Sequence, residues 1–300
     1  GSEWHPFSIA SSPNQSTLQF IIGPQKEHSW TARLKEAIHH RFQVTASGKS
    51  KLKRIPLKVM GPFGGSFTKA DQFDCLCLFG GGTGLTNSLS VLRRIVLDRK
   101  DEMAGRIALY NTILEKNGKV FGKNLPWMLE ELAEEEIPLS YVKEEGIKKK
   151  VFLVWSTSDV HALVWSFERL GEILCSKDHM GESDIVNLNK WLNVKIFCSR
   201  AKTEKEKALF NNLKADKLFP NNYLGQGLKL QSLRSQAVIQ EIFTDIKRQT
   251  LAFTQNNPEC NSNLKMFFCG PNAMRLNILK FLEKQNDKTW SIEANTENFG

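Results

Sequence analysis

The chain has 300 residues, of which 41% are hydrophobic and 24% charged, with a formal net charge of +9. That length and balance allow two domains with buried cores and exclude a largely disordered chain. The apolar runs at 75–79 and 151–155 fall far short of the roughly 18 to 20 residues that cross a bilayer, so the residues given are expected to be soluble.

In chain order, Gly1-Ser2 reads as a vector-derived remnant, and the natural chain is expected to continue upstream of Glu3, with room for membrane segments. The first seventy residues lack a strong helical period. Short β-like runs at 17–22 and 55–59, punctuated by Pro and Gly, predict part of a small β domain over 1–69. From Asp74 the pattern changes to alternating strands and helices, the mark of a parallel sheet covered on both faces, and predicts an α/β domain over 70–300. Residues 74–79 predict its first strand, followed by a glycine cluster and a helix over 85–97 through Leu85, Leu89, Leu92 and Val96. A second strand is expected at 151–155, then a helix over 159–174 with Asp159 as its N-cap. A third strand is expected at 194–198, a fourth at 265–268 and a helix over 272–284. The stretch at about 105–150, with acidic 130–136 and Lys148-Lys149-Lys150, reads as an insertion, and 202–231 as a second irregular region.

The basic charge favours an anionic partner, such as a dinucleotide phosphate or an acidic membrane surface. Basic residues are dispersed, with Glu interleaved through 202–207, so nucleic acid is not expected. The six cysteines form no C-x-x-C pair and suit a reducing compartment, and no zinc or calcium motif is present. His39-His40 are adjacent and cannot put both rings on one helical face, so a surface position is expected rather than haem ligation.

Chemistry enters at Gly80-Gly81-Gly82-Thr83-Gly84, with Thr86 two residues on, placed between a strand and a helix. Residues without side chains let the backbone approach a pyrophosphate, while the free N–H groups and dipole of the helix N-terminus favour its charge. No acidic residue ends a second strand about twenty residues later, so an ordinary Rossmann dehydrogenase is not the expectation.

Further motifs fall in a fixed order around this turn. They are Trp4-His5-Pro6-Phe7-Ser8, Trp30-Thr31, Gly61-Pro62-Phe63-Gly64-Gly65, the run from Trp155 through Asp159, His161 and Ala162 to Trp165, Cys269-Gly270-Pro271, and Glu297-Asn298-Phe299. Taken together they resemble the ferredoxin-reductase-like portion of the NADPH oxidase and ferric reductase family, over nearly the whole chain. The resemblance implies a partial flavin-binding β-barrel followed by a parallel-sheet NADPH domain, with FAD and NADPH as cofactors. It implies that His5, Pro6, Phe7 and Ser8 lie against the flavin, with the Ser8 hydroxyl near its N5, and that Thr31 and the Gly61, Pro62, Phe63, Gly64 and Gly65 turn contact FAD. By the same resemblance Gly80 to Gly84 and Thr86 hold the NADPH pyrophosphate, Cys269, Gly270 and Pro271 wall the nicotinamide, and Phe299 stacks on the flavin. Hydride transfer would then need alignment at roughly 3 to 3.5 Å rather than an acid–base dyad, which makes Cys269 an orienting group and not a nucleophile.

The sequence also departs from the family. Ser158 stands where an Arg is expected for the 2′-phosphate, with Arg200 or Lys202 as candidate replacements, and Ile21-Ile22 stand where an Arg is expected for FAD. Asn87 replaces a Pro, and Gly225-Gln226-Gly227 replaces a G-R-P turn. The implied function is the cytosolic dehydrogenase part of a membrane NADPH oxidase, which passes electrons through an upstream haem domain to dioxygen under the control of regulatory proteins. The alternatives are a ferric or cupric reductase, or a regulatory subunit that has lost catalysis.

Overall fold

Alternation decides how the central strands are buried. Along β3 (Cys75–Gly81) every residue is buried, with Leu76 and Leu78 on one face and Cys75, Cys77 and Phe79 on the other. A strand with no polar face has to lie inside a sheet covered on both sides. The structure, a computed structural model, describes residues 4–13, 15–23, 27–44, 50–52, 55–98, 148–174, 188–215, 223–283 and 290–297. The expected insertion at 105–150 falls almost wholly outside these residues, as does Phe299.

β3 is joined by β4 (Lys150–Thr157), β5 (Leu192–Cys198), β6 (Leu228–Leu230), β7 (Leu264–Cys269) and β8 (Ile292–Glu297). They form one all-parallel sheet in the order β6-β5-β4-β3-β7-β8. The chain therefore builds outward from β3 to β6, then returns to the other side of β3 for β7 and β8. The fold is mixed α/β, with six strands where four were expected. The two additions, β6 and β8, are the edges of the sheet.

On the face of Leu76 and Leu78 pack α2 (residues 85–98), α3 (Val160–Leu174), the one-turn α4 (Leu188–Trp191), α5 (Glu204–Ala215) and the short α6 (Tyr223–Gly227). On the face of Cys77 and Phe79 pack α7 (Gln236–Asn256) and α8 (Asn272–Leu282). α7 buries Val238, Ile239, Ile242, Phe243 and Ile246, a stripe at helical spacing. Each such side chain contributes about 1.5 to 3 kcal/mol of burial. Phe79 stacks on Phe243 at 6.2 Å, so a Phe79→Ala change would cost about 3 to 5 kcal/mol.

The described residues of the region at 202–231 are mainly helical, not irregular. Thr203 Oγ1 accepts from the Glu206 N–H at 3.1 Å, and a Glu206 carboxylate oxygen accepts from the Thr203 and Lys202 N–H groups at 2.9 and 2.6 Å. This capping box starts α5.

The N-terminal part holds α1 (Trp30–Arg41), although its sequence shows no strong apolar period. Ser29 starts that helix by accepting the Ala32 N–H at 3.2 Å. β1 (Phe42–Val44) and β2 (Ser50–Leu52) pair antiparallel. Of the run at 17–22 only Phe20 bridges, to Ile9, and 55–60 is not in a strand. His39 and His40 are exposed on α1. Among the described residues no helix is long and apolar enough to cross a membrane.

Candidate functional site

In an open parallel sheet, the crevice outside the carboxyl ends of two strands from which the chain departs in opposite directions is the natural ligand site. Here those strands are β3 and β7. β3 ends in the glycine turn and β7 ends in Cys269-Gly270-Pro271, so the topology brings together residues almost two hundred positions apart. Register sharpens this, because Gly80 lies between Trp155 of β4 and Cys269 of β7. Cys269 in turn pairs with Glu297 of β8, and Thr157 with Cys198 of β5. The ends of five strands thus line one edge.

The turn itself needs glycine. A β-carbon on Gly84 would lie 2.0 Å from the Cys269 carbonyl oxygen, and one on Gly81 would lie 2.7 Å from Pro271 Cδ. On Gly270 it would lie 2.9 Å from the Gly81 nitrogen, so the two turns are in backbone contact. Gly82 differs, because its φ of +56° is one that L side chains rarely adopt, while a β-carbon there would meet nothing within 4 Å. Gly82 and Thr83 are exposed, whereas Gly84, Thr86 and Asn87 are buried. The N-terminus of α2 therefore presents bare backbone to open space. The indole N–H of Trp155 donates to the Gly82 carbonyl oxygen at 2.9 Å and Thr86 Oγ1 donates to the Thr83 carbonyl at 2.7 Å, which fixes the turn from below. That cradle suits a dinucleotide pyrophosphate. The Trp155 contact was not anticipated beyond its place in a motif. Its signal is an indole at the end of an apolar strand, where the N–H has to find a partner.

On the same edge, Arg200 donates from Nε to the Ser158 carbonyl oxygen at 3.3 Å, and its Nη2 lies 3.5 Å from Ser158 Oγ. Asp159 caps α3, with Oδ1 accepting the His161 N–H at 2.9 Å. Cys269 is buried, and its sulfur is not in a disulfide.

On the flavin side, His5 stacks on Trp30 at 4.8 Å and Phe7 lies 5.7 Å from the same ring. His5 and Phe7 thereby bring their segment to Trp30 at the start of α1, where the hydroxyl of the following Thr31 is 3.1 Å from that of Ser29. Gly61, Pro62, Phe63, Gly64 and Gly65 are exposed, Phe63 to 74%, and Gly61 has a φ of +129° that only glycine adopts readily. The bare backbone of this turn is open to a ligand. This side of the chain reaches the glycine turn at Gly23, where a β-carbon would lie 3.3 Å from the Thr83 methyl. Among the described residues no group of three or more His, Cys, Asp or Glu side chains gathers to hold a metal.

The sheet order and the double turn at its switch point define a dinucleotide-binding α/β domain that follows a flavin-side segment. Residues 73–281 match the family described as Ferric reductase NAD binding domain, and residues 2–67 match the family described as FAD-binding domain. The chain belongs to the ferric reductase NAD-binding family, and these two matches support FAD and NADPH as its cofactors. It is 29% identical over 196 residues to "Probable respiratory burst oxidase homolog protein I" of Arabidopsis thaliana, covering 62% of this chain and 20% of that protein. It is 33% identical over 98 residues to "Dual oxidase 2" of Sus scrofa, covering 32% and 6%, and 29% identical over 107 residues to "Ferric reduction oxidase 8, mitochondrial" of Arabidopsis thaliana, covering 36% and 14%. The chain thus spans a fifth or less of the length of these three relatives.

Proposed function

We propose that this chain is the cytosol-facing dehydrogenase portion of a membrane NADPH oxidase, with a flavin lobe over 1–69 and a nucleotide lobe over 70–300. When bound, NADPH supplies a hydride to FAD, and in the whole protein the electrons pass singly through an upstream haem domain to dioxygen as superoxide. Gly80 to Gly84 and Thr86 hold the pyrophosphate on the N-terminus of α2. Cys269, Gly270 and Pro271 wall the nicotinamide, and Cys269 orients without attacking. His5, Pro6, Phe7, Ser8, Thr31 and the Gly61 to Gly65 turn bind FAD, with the Ser8 hydroxyl as a donor to it. Phe299, which lies outside the described residues, would stack on the flavin by the family resemblance and would give way to the nicotinamide. Ser158 and Arg200 receive the 2′-phosphate, for which a guanidinium is a charge-assisted partner.

The observation that carries this reading is the contact between the two glycine turns at the switch point of the sheet, Gly84 against Cys269. The experiment is anaerobic titration of the FAD-loaded protein with NADPH and, separately, NADH, following the visible flavin absorbance. Bleaching by NADPH at lower concentration than by NADH is expected. No bleaching and no nucleotide binding would instead favour a regulatory subunit that keeps the fold without the reaction.

A ferric or cupric reductase is a second reading, supported by the family description and by relatives named as ferric reduction oxidases. Acceptor-dependent NADPH consumption by the full-length protein separates the two. Superoxide formation favours the oxidase, and Fe(III) or Cu(II) reduction favours the reductase. Regulatory proteins that act on the whole enzyme belong to this proposal as well.

A further inference from the structure

Helix α2 carries the glycine turn at its N-terminus, and one flank of the same helix grips the chain that continues from His5 to Ser8. Ser90 Oγ donates to the Ser11 carbonyl oxygen at 2.8 Å. Arg93 Nη1 donates to the Ala10 carbonyl oxygen at 2.9 Å and to Gln19 Oε1 at 2.7 Å. Ala10 and Gln19 are the two arms of one closed turn, because the Ala10 N–H donates to the Gln19 carbonyl at 2.7 Å and the Gln19 N–H donates to Ser11 Oγ at 3.1 Å. A single guanidinium therefore bonds both arms.

This arrangement is built to be held. Arg93 is 7% exposed and Ala10, Ser11 and Ser12 are 1 to 3% exposed, which is rare for a charged side chain unless it is paired. Burial lowers the Arg93 pKa, and Glu172 of α3, 3.7 Å away, opposes that shift. Shape alone does not close the seam. An open pocket of about 120 Å³ lies beside the guanidinium, lined by Gln15, Gln19, Arg93, Val96, Leu97, Glu172 and Ile173. Directed hydrogen bonds have to supply the register that packing leaves open.

Leu85 to Arg93 is eight helical steps, roughly 12 Å of rigid rod. Ala10 is two residues from Ser8. A tilt of about 5° over that rod moves its end by roughly 1 Å, and a misplacement of that size costs a positioned reaction about 100-fold. We propose that Arg93 is a positioning residue that fixes the flavin-contacting segment at a set distance from the nucleotide turn, so that it governs the rate of flavin reduction and not the binding of nucleotide. This inference rests on the functional reading given above.

The test is stopped-flow reduction of the FAD-loaded full chain by NADPH without oxygen, for wild type, Arg93→Met, Arg93→Lys and Ser90→Ala. NADP⁺ affinity is measured by calorimetry on the same proteins. Arg93→Met is expected to lower the limiting reduction rate about 30- to 100-fold while the NADP⁺ Kd stays within about 3-fold, and Arg93→Lys to recover about 10-fold of the loss. Ser90→Ala removes one bond of the same seam without disturbing a buried charge, and should slow reduction about 3-fold with a fall of only about 2 °C in melting temperature. The proposal is overturned if Arg93→Met reduces its flavin at the wild-type rate. It is equally overturned if Arg93→Met loses rate and NADP⁺ affinity in parallel while Ser90→Ala behaves as wild type, since the residue would then be structural only. A wild-type flavin that NADPH does not bleach overturns the functional reading itself, and this inference with it.

Discussion

Replacing Gly84 by alanine would set a β-carbon 2.0 Å from the carbonyl oxygen of Cys269, 2.6 Å from its carbon and 3.1 Å from its sulfur. Ordinary contact needs about 3.4 Å, so the turn and the end of β7 would have to part by roughly 1.4 Å, and core overpacking of this kind costs about 1 to 3 kcal/mol. Relief by a side-chain rotation is not available, because the obstacle is the backbone of a strand paired on both sides, with β3 and with β8. The upper end of the range, about 3 kcal/mol, is therefore expected. At about 2 °C per kcal/mol for a large domain, the melting temperature should fall by about 6 °C. The functional loss should be larger, about 100-fold in the rate of flavin reduction, because on the proposed reading the displacement falls between the two turns that hold the nucleotide. Calorimetry for stability and stopped-flow absorbance for rate measure the two effects. Two companion variants separate sterics from backbone strain. Gly82→Ala has room but a φ of +56°, and should cost about 1 to 2 kcal/mol. Gly64→Ala meets nothing within 4 Å and should be within about 0.5 kcal/mol of wild type. A Gly84→Ala protein with wild-type melting temperature and rate would refute the reasoning.

Trp155→Phe keeps the apolar ring but removes the donor to the Gly82 carbonyl, and should cost about 1 to 2 kcal/mol of stability and weaken NADP⁺ binding several-fold by calorimetry. Arg200→Met should weaken NADPH binding by about 10- to 100-fold while leaving NADH nearly unchanged, and equal losses for both nucleotides would remove Arg200 from 2′-phosphate recognition. The Cys75 thiol is pushed up from 9.0 to about 12 by burial and by the neighbouring Asp74 and Cys260. The folded state therefore holds that proton more tightly than the unfolded state, and the stability it supplies is whole below about pH 9 and lost as the pH rises towards 12. Urea melts across that window should show a shallower alkaline decline for Cys75→Ala. The Asp245 carboxyl behaves in the opposite sense. Burial alone would raise it, but hydrogen bonds from Lys195, Arg248 and Gln249 and the Lys195 charge take it from 3.8 down to about 2. Its contribution is present above about pH 4 and disappears as the pH falls towards 2, so Asp245→Asn should flatten the acid limb of the same melts.

The centre of the sheet was readable in the sequence and its borders were not, for a physical reason. Strands β3, β4, β5 and β7 are buried on both faces over most of their length, with half-buried polar positions only at Asn193 and Lys195 of β5 and Lys265 of β7, and their apolar runs mark them at once. β6 has three residues with Leu230 half exposed, and β8, Ile-Glu-Ala-Asn-Thr-Glu, pairs only with β7. Each of these strands buries a single apolar side chain, Leu228 in β6 and Ile292 in β8, which is too short a pattern to read beside their backbone hydrogen bonds. α1 was missed because half of its residues are exposed, so no full apolar stripe is needed. α5 and α7 are different cases, since both carried a signal. The Thr203 to Glu206 capping box and the spacing of Val238, Ile239, Ile242, Phe243 and Ile246 were legible, and the charge around them masked both. For the site, the glycine-rich turns stood out as residue types, whereas Trp155 under Gly82 and Arg93 on Ala10 could not be foreseen, because each is a long-range bond that exists only after folding.

The capping of α5 also bears on nucleotide choice. A helix N-terminus at the carboxyl edge of the sheet would be a ready place for a 2′-phosphate, since its free N–H groups attract anions whatever their source. At α5 that place is taken by the Glu206 carboxylate, which accepts from the Thr203 and Lys202 N–H groups, and these bonds hold its pKa below the usual range. A phosphate arriving there would meet a fixed negative charge and not free donors. On the proposed reading, binding it on this edge falls to a cation that can extend past the cap, the part given to Arg200, which is anchored on Ser158 just after β4 and set between β5 and α5. Glu206→Gln removes the repulsion while keeping the capping geometry. It should therefore tighten NADPH relative to NADH by several-fold, and a lower NADPH preference in that variant would mean that the 2′-phosphate lies elsewhere.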